Sequence, residues 1–147
     1  MTDDLLKLDN QLCFRLYALS RLVTRSYQPY LDKLGITYPQ YLVLMVLWEL
    51  DGQSVNDIGR KLYLNTNTLT PLLKRMEAGA IILRRRDEID ERRVIICLTE
   101  KGIKMREDAI CIPAELTNLL VDKGVDLTEL FTLRNQLDLL ISTFSEI

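Results

Sequence analysis

Between Ser54 and Leu98 the chain carries two short apolar-periodic segments, a tight polar turn between them and two β-branched runs after them, and few architectures accommodate that order. Ser54 with Asp57 three residues on reads as a helix start, and Val55, Ile58 and Leu62 give that helix one buried face. Asn65-Thr66-Asn67 then offers polar capping groups to a second segment, in which Leu69, Leu72, Leu73 and Met76 fall at positions i, i+3, i+4 and i+7. Gly79 marks its end. Two short helices joined in this way are the sequence form of a helix-turn-helix. Pro71 removes one backbone hydrogen bond from the second helix, close enough to its start to limit the damage. Ile81-Ile82-Leu83 and Val94-Ile95-Ile96-Cys97-Leu98 are strand-forming and flank a charged run from Arg84 to Arg93, which predicts a hairpin with a charged tip.

Helices are expected on both sides of this block. Leu5, Leu8, Leu12, Leu16, Leu19 and Val23 step by three or four residues and predict a helix ending before Pro29. Pro39 opens another, with Tyr41, Leu44, Met45 and Trp48 facing the core and Asp51-Gly52 as its stop. After the hairpin, Thr99 and Glu100 begin a helix that Pro113 interrupts or kinks, and Asp126 with Glu129 caps the last one. That final helix bears a seam of Leu130, Leu133, Leu137, Leu140 and Phe144. Two terminal helices with long apolar seams predict that they meet a second chain. The expected fold is therefore mainly α with a small β-hairpin wing, a winged helix-turn-helix at 36–99 with helical dimerisation regions at 1–35 and 100–147, all in a single compact domain.

The sequence has no histidine, which removes Ser-His-Asp and Cys-His catalysis and most mixed-ligand metal sites, so no metal and no cofactor is expected. Cys13, Cys97 and Cys111 lie far apart without a Cys-x-x-Cys pair, and the acidic start Met1-Thr2-Asp3-Asp4 is unlike a signal peptide. A reducing, cytoplasmic setting follows as the expectation. The apolar run from Leu42 to Trp48 is far shorter than the about 20 residues that a membrane helix needs, and no membrane partner is expected.

A net charge of −2 speaks weakly against nucleic acid until it is divided along the chain. Ser54 to Arg106 holds twelve Lys/Arg against seven Asp/Glu, and the remainder holds seven against fourteen. A basic middle between acidic flanks is the footprint of a nucleic-acid-binding centre, although an uneven charge can also simply solvate a surface. On the second short helix, Asn67, Thr70 and Lys74 would face away from the leucines, with hydroxyls and amides suited to base edges and Lys74 and Arg75 suited to phosphates. At the hairpin, an arginine entering a minor groove needs a partner that holds its guanidinium in line, and Asp90 beside Arg92 could supply it.

The segment Asp90-Glu91-Arg92-Arg93-Val94-Ile95-Ile96-Cys97-Leu98-Thr99 resembles the wing signature of MarR-family repressors, an Asp-x-Arg followed after five residues by Leu-Thr. Leu69-Thr70-Pro71-Leu72-Leu73-Lys74-Arg75-Met76-Glu77 resembles that family's recognition helix. Asn10-Gln11-Leu12-Cys13-Phe14 and Ile36-Thr37-Tyr38-Pro39-Gln40-Tyr41 resemble the organic hydroperoxide resistance regulators, the OhrR type, within it. The resemblance implies a homodimeric repressor on an inverted-repeat operator in double-stranded DNA. Its DNA-binding residues would be Asn65, Thr66, Asn67, Thr68, Thr70, Lys74, Arg75, Arg84, Arg85, Arg86, Arg92 and Arg93, with Asp90 positioning the wing. It also implies that Cys13 is a peroxide-sensing thiol, that Tyr27 and Tyr38 hydrogen-bond it across a dimer interface, and that Tyr17 is a third nearby ring. The signals would be an organic hydroperoxide and a low-molecular-weight thiol, with Cys111 a possible resolving cysteine and Cys97 structural. The sequence departs from many hydroperoxide regulators in having Asn65-Thr66-Asn67 where they carry Asp-Ser-Gly, which bears on operator choice. Two other readings stay open: a MarR-type repressor relieved by a small aromatic ligand, and a thiol peroxidase, for which no basic partner of the thiolate is evident.

Overall fold

The computed structural model describes residues 2–147, with side chains from Asp4 onward; of the acidic start, Met1 and the side chains of Thr2 and Asp3 lie outside the described residues. A short α1, Thr2–Leu5, and a 3-10 turn at Leu8–Asn10 lead into the long α2, Leu12–Leu34. The expected stop before Pro29 is therefore corrected. α2 runs through the proline and ends at Gly35, whose left-handed φ of 68° lets its N–H reach back to the Leu31 and Asp32 carbonyls. The Ile36 N–H also bonds to the Leu31 carbonyl, and Leu31 and Ile36 are both buried. Burying this pair, at about 1.5–3 kcal/mol per side chain, offsets the hydrogen bond that Pro29 withholds.

α3, Tyr38–Glu49, starts on a reciprocal cap in which the Gln40 side chain accepts from the Thr37 N–H at 2.9 Å and the Thr37 hydroxyl accepts from the Gln40 N–H. Tyr41 and Leu44 are buried as expected, but so are Val43, Val46 and Leu47, whereas Met45 is exposed and Trp48 half-buried. The assignment of Met45 to the core is corrected because α3 packs against α2 and against the later helices Val55–Leu62, Thr66–Ala78 and Glu100–Ala109, and a helix surrounded in this way has no single apolar stripe.

β1, Gln53–Ser54, was not expected; two residues are too short to show a period. It pairs antiparallel with β3, Val94–Leu98, which also pairs with β2, Ile82–Arg86, in the order β1-β3-β2. Arg84, Arg85 and Arg86 thus extend a strand instead of forming the hairpin tip, since β3's apolar run offers partners as far as Arg86↔Val94. Ser54 caps α4, Val55–Leu62, and Asn65 caps α5, Thr66–Ala78, each by accepting a backbone N–H three residues on. Between them Tyr63 takes a left-handed φ of 54°, and the Leu64 carbonyl comes so close to Gly59 that a Cβ there would sit 2.7 Å from it. Only glycine leaves room for this turn.

α6, Glu100–Ala109, begins at Thr99, whose hydroxyl accepts from the Gly102 N–H and lies 2.7 and 2.9 Å from the Ala80 and Ile81 carbonyls. The Trp48 indole N–H donates to the Gly102 carbonyl at 2.9 Å. A Cβ on Gly102 would lie 2.3 Å from the Ile81 carbonyl oxygen, a backbone atom that cannot rotate away. Gly102→Ala is expected to lose about 1–3 kcal/mol of stability, read as a lower Tm in calorimetry. An unchanged Tm would show that the start of β2 yields freely.

Residues up to Ile110 form one compact unit and Cys111–Ile147 a second. In the second, Pro113 sits in the first turn of α7, Ile112–Asp122, so it starts a new helix, and Asp126 caps α8, Leu127–Ser145. Along α8, Leu133 and Phe144 are exposed and Leu130, Leu137 and Leu140 half-buried. In the first unit Leu5, Leu8, Leu12, Leu19 and Val23 are exposed. Among the described residues no helix is long and apolar enough to cross a membrane, and no group of Cys, Asp and Glu could hold a metal ion.

Candidate nucleic-acid interface and thiol site

α5 presents Thr66, Asn67, Thr68, Lys74 and Arg75 to solvent and keeps Thr70 half-buried, opposite a buried face of Leu69, Leu72, Leu73 and Met76. Its first turn also exposes backbone N–H groups and the positive end of the helix dipole, both suited to a phosphate. Pro71 is exposed on this helix and leaves the Asn67 carbonyl without its helical donor.

The wing is stiffened by carboxylates. Asp90 accepts from both the backbone N–H and the Nε of Arg92, each at 3.1 Å, while the Arg92 side chain remains 91% exposed. These bonds hold the Asp90 carboxyl below the usual carboxylate range. Arg86 donates to the Glu91 carbonyl at 3.0 Å, and Arg85 is exposed. Arg84 instead turns to α5, its Nε 2.8 Å from Glu77 Oε2 and its backbone N–H bonded to Glu77 Oε1. Arg93 lies 3.5 Å from Asp57 of α4 and 3.6 Å from Asp87. Thr66, Thr70, Arg84, Arg92 and Arg93 line one cleft of about 170 Å³ together with Asn56. The remaining residues expected on DNA lie outside that lining.

Cys13 and Tyr17, one turn apart on α2, are both exposed, and the Arg21 guanidinium lies 5.5 Å from the Tyr17 ring centre. Tyr27 and Tyr38 meet edge-on at 5.0 Å, with Tyr41 at 5.9 and 6.3 Å from them. Burial raises the Tyr27 hydroxyl above its ordinary value, and burial together with Tyr27 raises that of Tyr38, so both stay O–H donors at neutral pH. Cys13 and Tyr27 are fourteen residues apart on one continuous helix, hence about 21 Å along its axis. Within one chain the thiol cannot reach that phenol. Cys97 is half-buried on β3, Cys111 is exposed just before α7, and none of the three cysteines forms a disulfide.

Residues 25–109 match the family described as Transcriptional regulator SarA/Rot. The organic hydroperoxide resistance transcriptional regulator of Bacillus subtilis (strain 168) is 53% identical over 127 residues, 86% of this chain and 86% of that one. The chain belongs to the MarR-family transcriptional regulators. Among solved MarR-family structures, reduced AbfR bound to DNA superposes with a TM-score of 0.77 at 37% identity, covering 98% of this chain and 99% of that one. Disulfide-formed AbfR gives 0.61 at 39% identity, covering 96% and 97%; AbfR comes from Staphylococcus epidermidis.

Several residues that shape the MarR-type head escaped the sequence reading. Glu77 enters the sequence reading only as the last residue of the segment that resembles a recognition helix, and Asp57 only as a capping residue. Asp57 does take part in the cap, accepting from the Ser54 hydroxyl, but it also pairs with Arg60 and faces Arg93. The Ser54 bond chiefly, with Arg60 and Arg93, holds its carboxyl below the usual range. No sequence signal exposes the Arg93 contact, which spans thirty-six positions and depends on where the wing folds back.

Proposed function

We propose that this chain is a cytoplasmic homodimer that represses from an inverted-repeat operator and releases it when an organic hydroperoxide oxidises Cys13. The observation that carries the DNA reading is the exposed first turn of α5 lying beside an arginine, Arg92, that a carboxylate holds outward on the wing. Helix α5 then enters a major groove with Asn65, Thr66, Asn67, Thr68 and Thr70 toward base edges and phosphates, Lys74, Arg75, Arg85 and Arg86 reach phosphates, and Arg92 enters the adjacent minor groove. Asn65-Thr66-Asn67 keep the capping chemistry and place no carboxylate beside DNA. Two-fold symmetry sets the half-sites about 34–36 Å, one helical turn, or a multiple of it apart.

The separation of Cys13 from Tyr27 supports the second chain, because the Tyr27 phenol can favour the thiolate only from the partner's helix. The Cys13 thiolate attacks the distal oxygen of the hydroperoxide, the O–O bond breaks, and the leaving alkoxide takes a proton to become the alcohol. Sulfur is oxidised by two electrons to the sulfenic acid. A small thiol, or Cys111, then displaces hydroxide as water and leaves a disulfide. The bulkier, altered group at the dimer interface shifts the spacing of the two heads, and the operator is released. The oxidation is stoichiometric, a switch and not turnover, so the protein is no enzyme.

A gel-shift titration on the duplex upstream of its own gene, with and without cumene hydroperoxide, tests this reading. Tight binding that peroxide abolishes and dithiothreitol restores is the expected result. Release by a small aromatic compound with peroxide inert would assign the ligand-relieved mechanism instead, and steady peroxide consumption with a reductant would assign a peroxidase.

A further inference from the structure

The basic head contains two acidic side chains whose position is costly for a DNA-binding surface: Glu77 on the recognition helix and Asp57 in the first turn of α4. A carboxylate near phosphates weakens binding by simple electrostatics, so each should be doing something that compensates. The geometry points to a positioning role: we propose that Glu77 and Asp57 fix the wing against α5 and α4, and that Arg84 and Arg93 are committed to those ties and not to phosphates. This rests on the DNA-binding reading above and assigns parts within it.

Glu77 makes a two-point clamp. β2 is an edge strand, and the Arg84 backbone N–H donates to Glu77 Oε1 at 3.2 Å while the Arg84 Nε donates to Oε2 at 2.8 Å. One carboxylate thereby ties the backbone and the side chain of the same strand residue to α5. Such a tie fixes both where the strand lies and how it is rotated. Arg84 is also the most enclosed arginine of the pairs in the head, its side chain 28% exposed against 91% for Arg92. The second tie runs from the opposite side of the wing. Arg93 bridges Asp57 and Asp87, so it links α4 to the first residue after β2, and the Arg93 carbonyl in turn accepts the Asp87 N–H at 2.9 Å. With α5 holding one strand and α4 the other, Arg92 at the tip is aimed by the pair of ties, while its own partner Asp90 lies within the turn.

The sign of one substitution separates this reading from its rival. Were Arg84 a phosphate contact and Glu77 a neighbour that blunts it, Glu77→Gln would tighten binding. Under the positioning reading Glu77→Gln weakens it by about tenfold, in keeping with the loss of a charge-assisted hydrogen bond. The experiment is fluorescence anisotropy of wild type, Glu77→Gln, Arg84→Gln and the double variant on the duplex upstream of the gene, between about 50 and 200 mM salt. Both single variants are expected to bind about tenfold more weakly with the slope of log affinity against log salt unchanged, and the double variant no more weakly than either single. Binding by Glu77→Gln as tight as wild type or tighter overturns the proposal, as does a salt slope for Arg84→Gln reduced by about 0.9, the mark of one lost phosphate contact. Wild type that ignores the duplex would instead overturn the DNA reading, and the positioning role with it. Should Glu77→Gln lose its far-UV circular dichroism, Asp57→Asn and Arg93→Gln, on the more exposed tie, are held to the same two readouts.

Discussion

Cys13→Ser is expected to stay on a duplex from which an organic hydroperoxide has stripped the wild type. Serine keeps the size and hydrogen-bonding reach of the thiol but offers peroxide no nucleophilic sulfur, so the first oxidation cannot occur. The position tolerates the change, since Cys13 is exposed on the second residue of α2 and no core packing depends on it within the chain. Coupling between an effector event and a distant binding site is typically worth 1–3 kcal/mol, so wild-type affinity should fall by about 5- to 150-fold on oxidation. The variant should move by less than about twofold, well below that coupling range. Anisotropy titrations of both proteins with and without cumene hydroperoxide measure this directly. Equal loss in both would place the sensing sulfur elsewhere, and Cys111→Ser in parallel tells whether release needs that second cysteine or proceeds with an added small thiol.

What the sequence made legible follows from how local each signal is. The two short helices and their caps at Ser54 and Asn65 are written in spacings of three or four residues, and the structure places them within a residue or two of expectation; the hairpin is present too, but its first strand runs three residues further than expected, to Arg86. α2 overran its expected stop because the residues that hold its end, Leu31 and Ile36, act through tertiary burial, which outweighs the local veto of Pro29. Met45 was misplaced for a related reason: a helix packed on several sides offers no reliable stripe. Arg84 and Arg92 read alike as basic residues near a hairpin, yet strand register sends one to Glu77 and leaves the other in solvent. Charge is visible in a sequence, whereas the partner that consumes it is not.

The exposed stripe on the N-terminal helices supports a second strong expectation. Leu12, Leu19 and Val23 lie on one side of α2 and are all exposed in the single chain, near the thiol that a partner's tyrosine must reach. An aspartate at Leu19 would be solvated in a monomer and would cost several kcal/mol if buried unpaired in an interface. Leu19→Asp should therefore shift the protein from dimer to monomer in sedimentation velocity while its helical circular dichroism persists. Losing the linkage of two heads removes the gain from effective concentration, so affinity for the operator duplex should drop by about 10² to 10⁴-fold. The salt slope should fall to about half, because a single head neutralises half the phosphates. A variant that remains dimeric and binds as before would place the dimer contact away from this stripe, and Tyr27 of one chain would then have to reach Cys13 of the other by a different face of α2.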